Sequence, residues 1–281
     1  MSDVGSKLTR RGDITAHVIL GFATLTALFP VFWTVTTSIK TREDSFSDPP
    51  RIVNFDPTSK NYRALLSKQE FTDVLWNTVV VTVCSTLLCV LIGGFAAYAL
   101  ARHRRFPGRR PLEASLVFIR AMPGIVIIVP LYRLIGDLDL YDKRPVMIVI
   151  YTAINLPFAI WLMKSFIEQI PIELEECAGV DGASRWTTLR RVVLPLASPG
   201  LAATSIFISL LTWNEFIVPA LLGGENTKTL PVYISGFISN RSFDWGPLAA
   251  ASSLAIVPIV ILTVAIQRRL VSGLSSGAVK G

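Results

Sequence analysis

Residues Val74–Ala101 read VLWNTVVVTVCSTLLCVLIGGFAAYALA, 28 positions without an Asp, Glu, Lys or Arg. A helix crossing a bilayer needs about 20 apolar residues. The run is continuously apolar rather than alternating, so it reads as a spanning helix and not as a barrel strand. The same property recurs at Ile14–Ile39, Pro145–Met163, Val192–Asn214 and Trp245–Gln267, and Leu112–Ile135 is apolar except for Glu113, Arg120 and Arg133. The expectation is an all-α integral membrane protein. A single transmembrane domain covers 1–281, with six spans at about 14–39, 74–101, 112–135, 145–163, 197–221 and 246–267. Composition agrees: 17% of the residues are charged, against about 25% in soluble domains.

The first apolar window follows Lys7, Arg10 and Arg11. It is about twice as long as the apolar core of a secretory leader, and no Ala-x-Ala-like site closes it, so a permanent span is expected. Basic loops stay cytoplasmic. The segment Arg102-His103-Arg104-Arg105 with Arg109 and Arg110 holds no acid, which puts the 101–110 loop inside. Loops 40–73, 136–144 and 222–244 then lie outside, loop 164–191 inside, and both termini in the cytoplasm. Loop 40–73 weakens the rule, because it holds six Lys/Arg beside six Asp/Glu.

Several classes of function find no support. The net charge of +7 gathers in loops where orientation signals sit, with no nucleic-acid motif. Cys84, Cys89 and Cys177 have no metal or disulfide spacing and read as small apolar fillers. His17 and His103 are the only histidines, so no catalytic set forms, and no metal site is expected. The stretch Gly223–Thr229 lacks the second glycine and the spacing of a phosphate loop. An ion-coupled secondary transporter would show repeats and paired broken helices; neither is seen.

The long inner loop reads PIELEECAGVDGASRWTTLRRVVLP over Pro171–Pro195. Pro171 suits the first turn of a helix, and Glu173, Glu175 and Glu176 suit its positive end. Gly182 stops that helix and Ser184 caps the next. Trp186, Leu189 and Val193 form a second apolar stripe, with Arg190 and Arg191 turned away. Such a helix pair either lies on lipid or docks into a groove of a partner protein.

The residues decide between these. Glu176-Cys177-Ala178, then Asp181-Gly182-Ala183, then Leu194-Pro195 resembles the EAA loop of ABC-importer permeases, with Cys177 where the first Ala normally stands. Further segments resemble the carbohydrate-uptake branch of that family, in particular the second permease of maltose- and trehalose-type importers. They are Pro30-Val-Phe-Trp33 with Ser38-Ile-Lys40, Trp76-Asn77-Thr78, Ala96–Arg102, Trp213-Asn214-Glu215-Phe216, and the tail from Gln267 to Gly281.

The resemblance implies a type I-like permease in the bacterial cytoplasmic (inner) membrane, working by ATP-driven alternating access. Its coupling loop is 166–196, where Glu176, Cys177, Ala178, Asp181, Gly182, Trp186, Leu194 and Pro195 meet an ATPase subunit. The tail 268–281 brings Gly277, Lys280 and Gly281 to the same partners. The chain has no ATPase of its own and binds no cofactor; ATP and Mg sit on two separate ATPase subunits. A homologous second permease and an extracytoplasmic sugar-binding protein complete the particle. The cargo is a di- or oligosaccharide, with glycerol-3-phosphate or a polyol as the alternative.

Within the spans, Tyr151, Asn155, Trp161, Trp213, Asn214 and Glu215 are candidates for the translocation path by type and position, since sugars are held by aromatic faces and planar polar groups. Glu215 is either a structural hydrogen-bonding group or a polar wall of the path. Pro123 is a candidate hinge. Arg120 stands eight residues into its span, about 12 Å along the axis. It snorkels to the surface, pairs with Glu215, or lines the cavity toward an anionic substrate.

Overall fold

The structure, a computed structural model, describes residues 3–103, 107–238 and 243–275. Its regular elements among these residues are all helices, apart from a single β-bridge between Ile238 and Phe243. In chain order the helices are α1 (Asp3–Ser38), α2 (Arg42–Ser45), α3 (Lys60–Leu66), α4 (Gln69–Arg102), α5 (Arg109–Ala121), α6 (Gly124–Asp137), α7 (Arg144–Glu168), α8 (Glu173–Val180) and α9 (Arg185–Thr188). A π-helical turn at Leu189–Val193 leads into α10 (Leu194–Leu196), followed by α11 (Ser198–Trp213), α12 (Ile217–Leu222), α13 (Leu230–Ser235) and α14 (Trp245–Ser275).

Four helical stretches are long and apolar enough to cross a membrane: Asp13–Ser38, Gln69–Arg102, Arg144–Glu168 and Trp245–Val264. Two bent pairs pass the same test together. The pair α5 and α6 bends by 91° at Met122-Pro123, and the segment 185–196 with α11 bends by 70° at Ala197. Both breaks have a local cause. Pro123 disfavours helix at Met122, and Met122 is extended (ψ 135°). Pro199, at the start of α11, has no N–H to give back to the Pro195 carbonyl across Ala197 and restricts Ser198 before it, and a π-helical turn precedes α10.

By contacts the chain divides into two units, residues 1–69 with 234–257, and residues 70–233 with 258–281. In the first unit, the apolar window of α1 buries none of its residues. The loop that follows folds back on the helix end. Asn61 donates to the carbonyls of Ser38 and Lys40 at 2.9 and 3.0 Å, and the hydroxyls of Ser38 and Tyr62 meet at 2.7 Å. Lys40 is buried, and among the described residues no carboxylate pairs with it. Its ammonium lies 4.8 Å from the Trp33 ring centre and 5.1 Å from that of Phe55, an arrangement in which two ring faces take the place of water.

In the second unit, α4 packs on α7 through small residues. A Cβ at Gly93 would stand 3.2 Å from that of Ala159, and Ala159, Cys89 and Ile208 are fully buried together. Small residues let helices approach closely where no hydrophobic drive separates them from lipid. One apolar cluster (Ala97, Met163, Ile167, Val193) holds the end nearest α8. Another (Val81, Met147, Ile150, Val218) holds the opposite end, near Asp142.

Candidate functional site

The Pro171–Pro195 segment forms the two short helices expected. Pro171 stands two residues ahead of α8 instead of inside it, and its carbonyl accepts from Leu174 N–H. The other end is a complete left-handed cap. Gly182 has φ +81°, its N–H donates to Gly179, and Ala183 N–H donates to Ala178 at 2.9 Å. Ser184 then caps α9, accepting from Thr187 N–H at 3.2 Å. Of the second stripe, Leu189 and Val193 are buried, whereas Trp186 is exposed and stacks on Phe95 at 6.2 Å.

Glu176, Cys177, Asp181, Gly182, Leu194 and Pro195 are all exposed, and Ala178 is half-buried. Helix α8 buries none of its own residues fully. Besides its packing on α9 and the π-helical turn, it is tied to α4 by Glu175. Its carboxylate accepts from Arg102 Nε at 2.6 Å and from the Tyr98 hydroxyl at 2.7 Å, and Arg102 also donates to Ile170 O at 3.1 Å. The side chains of Arg102 and Glu175 are 9% and 12% exposed, so this is a largely desolvated ion pair. Tyr98 and Arg102 are four apart on α4 and present one face to the loop. Sequence reading picked out the neighbouring Glu176 and missed this latch.

A ring of charges near the same end joins α5 to α7. Arg109 pairs with Glu113 (2.7 Å) and Glu168 (3.1 Å), and Lys164 pairs with Glu113 (3.3 Å) and Glu168 (3.1 Å). At the opposite end Asp142, itself left-handed (φ 55°), organises the 223–229 loop. Its carboxylate accepts from the N–H groups of Gly224, Asn226 and Thr227 at 2.9 to 3.1 Å, and from the Asn226 amide and Thr227 hydroxyl at 2.7 Å. Partial burial works to raise the Asp142 pKa; the hydrogen bonds of Thr227, Asn226 and Gly224 outweigh it and hold the carboxyl below its usual range. From the other side Asn77 donates to Asn226 O and Lys228 O, and Leu230 N–H donates to Thr78.

The candidate path residues divide by burial. Tyr151, Asn155 and Trp213 are buried among their own helices, where Asn155 donates to Tyr151 O and to the Thr212 hydroxyl. Glu215 is half-buried and accepts from Ile217 and Val218 N–H at 2.9 and 3.3 Å, capping α12. Asn214 is exposed, with its amide on Leu210 O. Trp161 is 54% exposed and stacks on Phe158 at 6.2 Å. Pro123 is exposed at the 91° bend. Gly277, Lys280 and Gly281 lie outside the described residues.

Four apolar helices long enough to cross a membrane, two bent pairs that pass the same test together, and a capped, exposed helix pair describe a polytopic membrane protein. Residues 89–276 match the model of the binding-protein-dependent transport system inner membrane component family, and the chain belongs to that family of ABC-transporter permeases. It is 34% identical over 281 residues to the trehalose transport system permease protein of Mycobacterium tuberculosis, covering 99% of this chain and 100% of that one. It is 35% identical over 270 residues to a diacetylchitobiose uptake system permease protein of Streptomyces coelicolor, covering 96% of each. Among solved structures it resembles a chain of a bacterial ABC transporter involved in the import of the acidic polysaccharide alginate. That match has a TM-score of 0.74 and 25% identity, over 92% of this chain and 96% of that one.

Proposed function

We infer that this chain is one of the two pore-forming subunits of a binding-protein-dependent importer, and that it carries a di- or oligosaccharide into the cytoplasm. In this reading the two bent pairs are each one span. The chain then crosses the bacterial cytoplasmic membrane six times, with both termini inside. The observation that carries the reading is the α8–α9 pair. Its outer face is exposed and its turn is fixed by a glycine cap, while its inner face is latched to α4 through Glu175. A rigid helix pair tied to a span transmits displacement, and a groove in a partner takes an exposed amphipathic helix. Glu176, Ala178, Asp181, Gly182 and Trp186 meet the ATPase subunit, which binds ATP and Mg, and the tail residues Gly277, Lys280 and Gly281 reach the same partner. Closure of the ATPases pulls on α8, and Arg102 passes the pull to α4.

The relatives named for trehalose and diacetylchitobiose, and the alginate importer, support a carbohydrate cargo. Of the candidate path residues, Trp161 and Asn214 are exposed and meet the cargo, while Tyr151, Asn155 and Trp213 hold the helices behind it. The outer 223–229 loop faces the binding protein. The test is ATP hydrolysis by the reconstituted complex with its binding protein, across disaccharides, polyols and glycerol-3-phosphate, with Gly182→Arg as control. Stimulation by a sugar that the variant abolishes is the expected result. Stimulation by glycerol-3-phosphate alone reassigns the cargo, and stimulation by nothing in an assembled complex removes the carbohydrate reading.

A further inference from the structure

Arg120 lies in the last turn of α5, with its guanidinium 5.4 Å from the centre of the Phe158 ring. Phe158 lies fourteen residues from the first residue of α7 and ten from the last, about 21 Å and 15 Å along the axis. Arg120 therefore sits level with the middle of α7, about 9 Å along the axis from Lys164 and its ion pairs. Nearer the α8 end of the α5–α7 groove, Arg109 and Lys164 each hold two carboxylates. Among the described residues no carboxylate pairs with Arg120, and its side chain is exposed. Glu215, the acid that the sequence offered it as a partner, is engaged as the cap of α12.

An exposed guanidinium at that depth needs an anion or water. Beside it is a cavity of about 410 Å³ walled by Val117, Pro157, Phe158 and Trp161. A second cavity, about 360 Å³, shares Leu116, Val117 and Trp161 with the first and continues the groove toward Lys164. Each is within the range of small-ligand sites, about 300–1,000 Å³. Phe158 and Trp161 stack at an interplanar angle of 28°, and Phe207 meets Phe158 edge-on at 6.1 Å. The groove thus offers a broad aromatic face with one planar cation at its edge. An aromatic face takes the apolar C–H face of a pyranose, and a guanidinium fork takes a carboxylate by two parallel hydrogen bonds.

We propose that Arg120 with Phe158 and Trp161 is a subsite for an acidic sugar residue, and that the cargo carries a carboxylate. This rests on the importer reading above and narrows it. The occupant that competes with it is a carboxylate of the companion permease.

The test uses the whole complex in proteoliposomes with its binding protein. The probes are uronate-containing disaccharides and the same sugars with each carboxyl reduced to an alcohol. Uptake favouring the uronate, with a ratio of acidic to neutral uptake that falls tenfold or more in Arg120→Gln and less in Arg120→Lys, is the expected result. Trp161→Ala lowers uptake of both members, because it removes the face they share. An unchanged ratio in Arg120→Gln overturns the subsite, as does a complex that assembles with Arg120→Lys but not with Arg120→Gln and shows no acidic preference. Uptake of the neutral sugars alone overturns the subsite and leaves the importer reading intact. A complex that takes up neither sugar, yet whose ATP hydrolysis is stimulated by binding protein loaded with another ligand, overturns the subsite alone; one that no loaded binding protein stimulates overturns the importer reading as well.

Discussion

Substituting Glu175 by Ala should disconnect α8 from the spans while leaving the helix itself formed. The substitution leaves Arg102 charged, 9% exposed and without its carboxylate, and it strands the Tyr98 hydroxyl. Removing one partner of a buried pair costs about 3–5 kcal/mol. The lower end applies here, because Glu175 keeps some exposure and Arg102 keeps its bond to Ile170 O. A cost of about 3 kcal/mol shifts the docking of α8 on α4 on the order of a hundredfold. Helix α8 fully buries none of its own residues, so its packing on α9 and the π-helical turn is what remains to oppose that shift. The assay is the purified complex in nanodiscs and proteoliposomes, read as ATP hydrolysis with and without loaded binding protein, and as cargo moved per ATP. Hydrolysis should persist, its dependence on the binding protein should weaken, and cargo per ATP should fall. Glu175→Gln keeps an acceptor for Arg102 and should lie between. The pair Arg102→Met with Glu175→Leu removes the unpaired charge, so it should regain thermal stability. If Glu175→Ala keeps both the melting temperature and the cargo moved per ATP, the latch is not the link between loop and span.

Three further outcomes follow from the geometry. Asp142→Ala should loosen the 223–229 loop by about 2 kcal/mol, seen as faster labelling of a cysteine placed at Glu225. Because the folded Asp142 pKa is held low, the clamp is fully present above the ordinary carboxylate pKa and is lost as pH falls through the depressed value; Asp142→Asn should reproduce that loss at neutral pH. Gly182→Ala meets no atom within 4 Å, so its cost is the left-handed backbone alone, about 1–2 kcal/mol; hydrogen exchange should quicken at Gly182 and Ala183 and not in α7. At Gly200 a Cβ would overlap the Phe166 ring, so Gly200→Ala should destabilise the complex by about 1–3 kcal/mol, and adding Phe166→Leu should recover part of it.

The apolar helices were legible because lipid selects on one property, uninterrupted loss of charge. Where they begin and end was less so. Helix α4 starts at Gln69 and includes Glu70 and Asp73, since backbone hydrogen bonding continues past the hydrocarbon edge. The stretch 197–221, expected as one span, is two helices parted at Asn214–Phe216, and Glu215, the charge that a continuous span would have had to bury, serves as the cap of the second. The local signals that carry their own mechanism, Gly182 and Ser184, could be read in advance because a cap needs only neighbours four or five residues away. Glu175 and Asp142 could not. One is the middle of three acids in a first turn, the other one of three aspartates in a short loop, and nothing nearby distinguishes them from their neighbours. Their partners lie 73 to 85 residues distant. The same distance explains Arg120. As a residue in a sequence it is a charge misplaced in an apolar run. Only when α5 is laid against α7 does it acquire an aromatic wall and a cavity, and that placement turns an electrostatic cost into a reason to expect an anion.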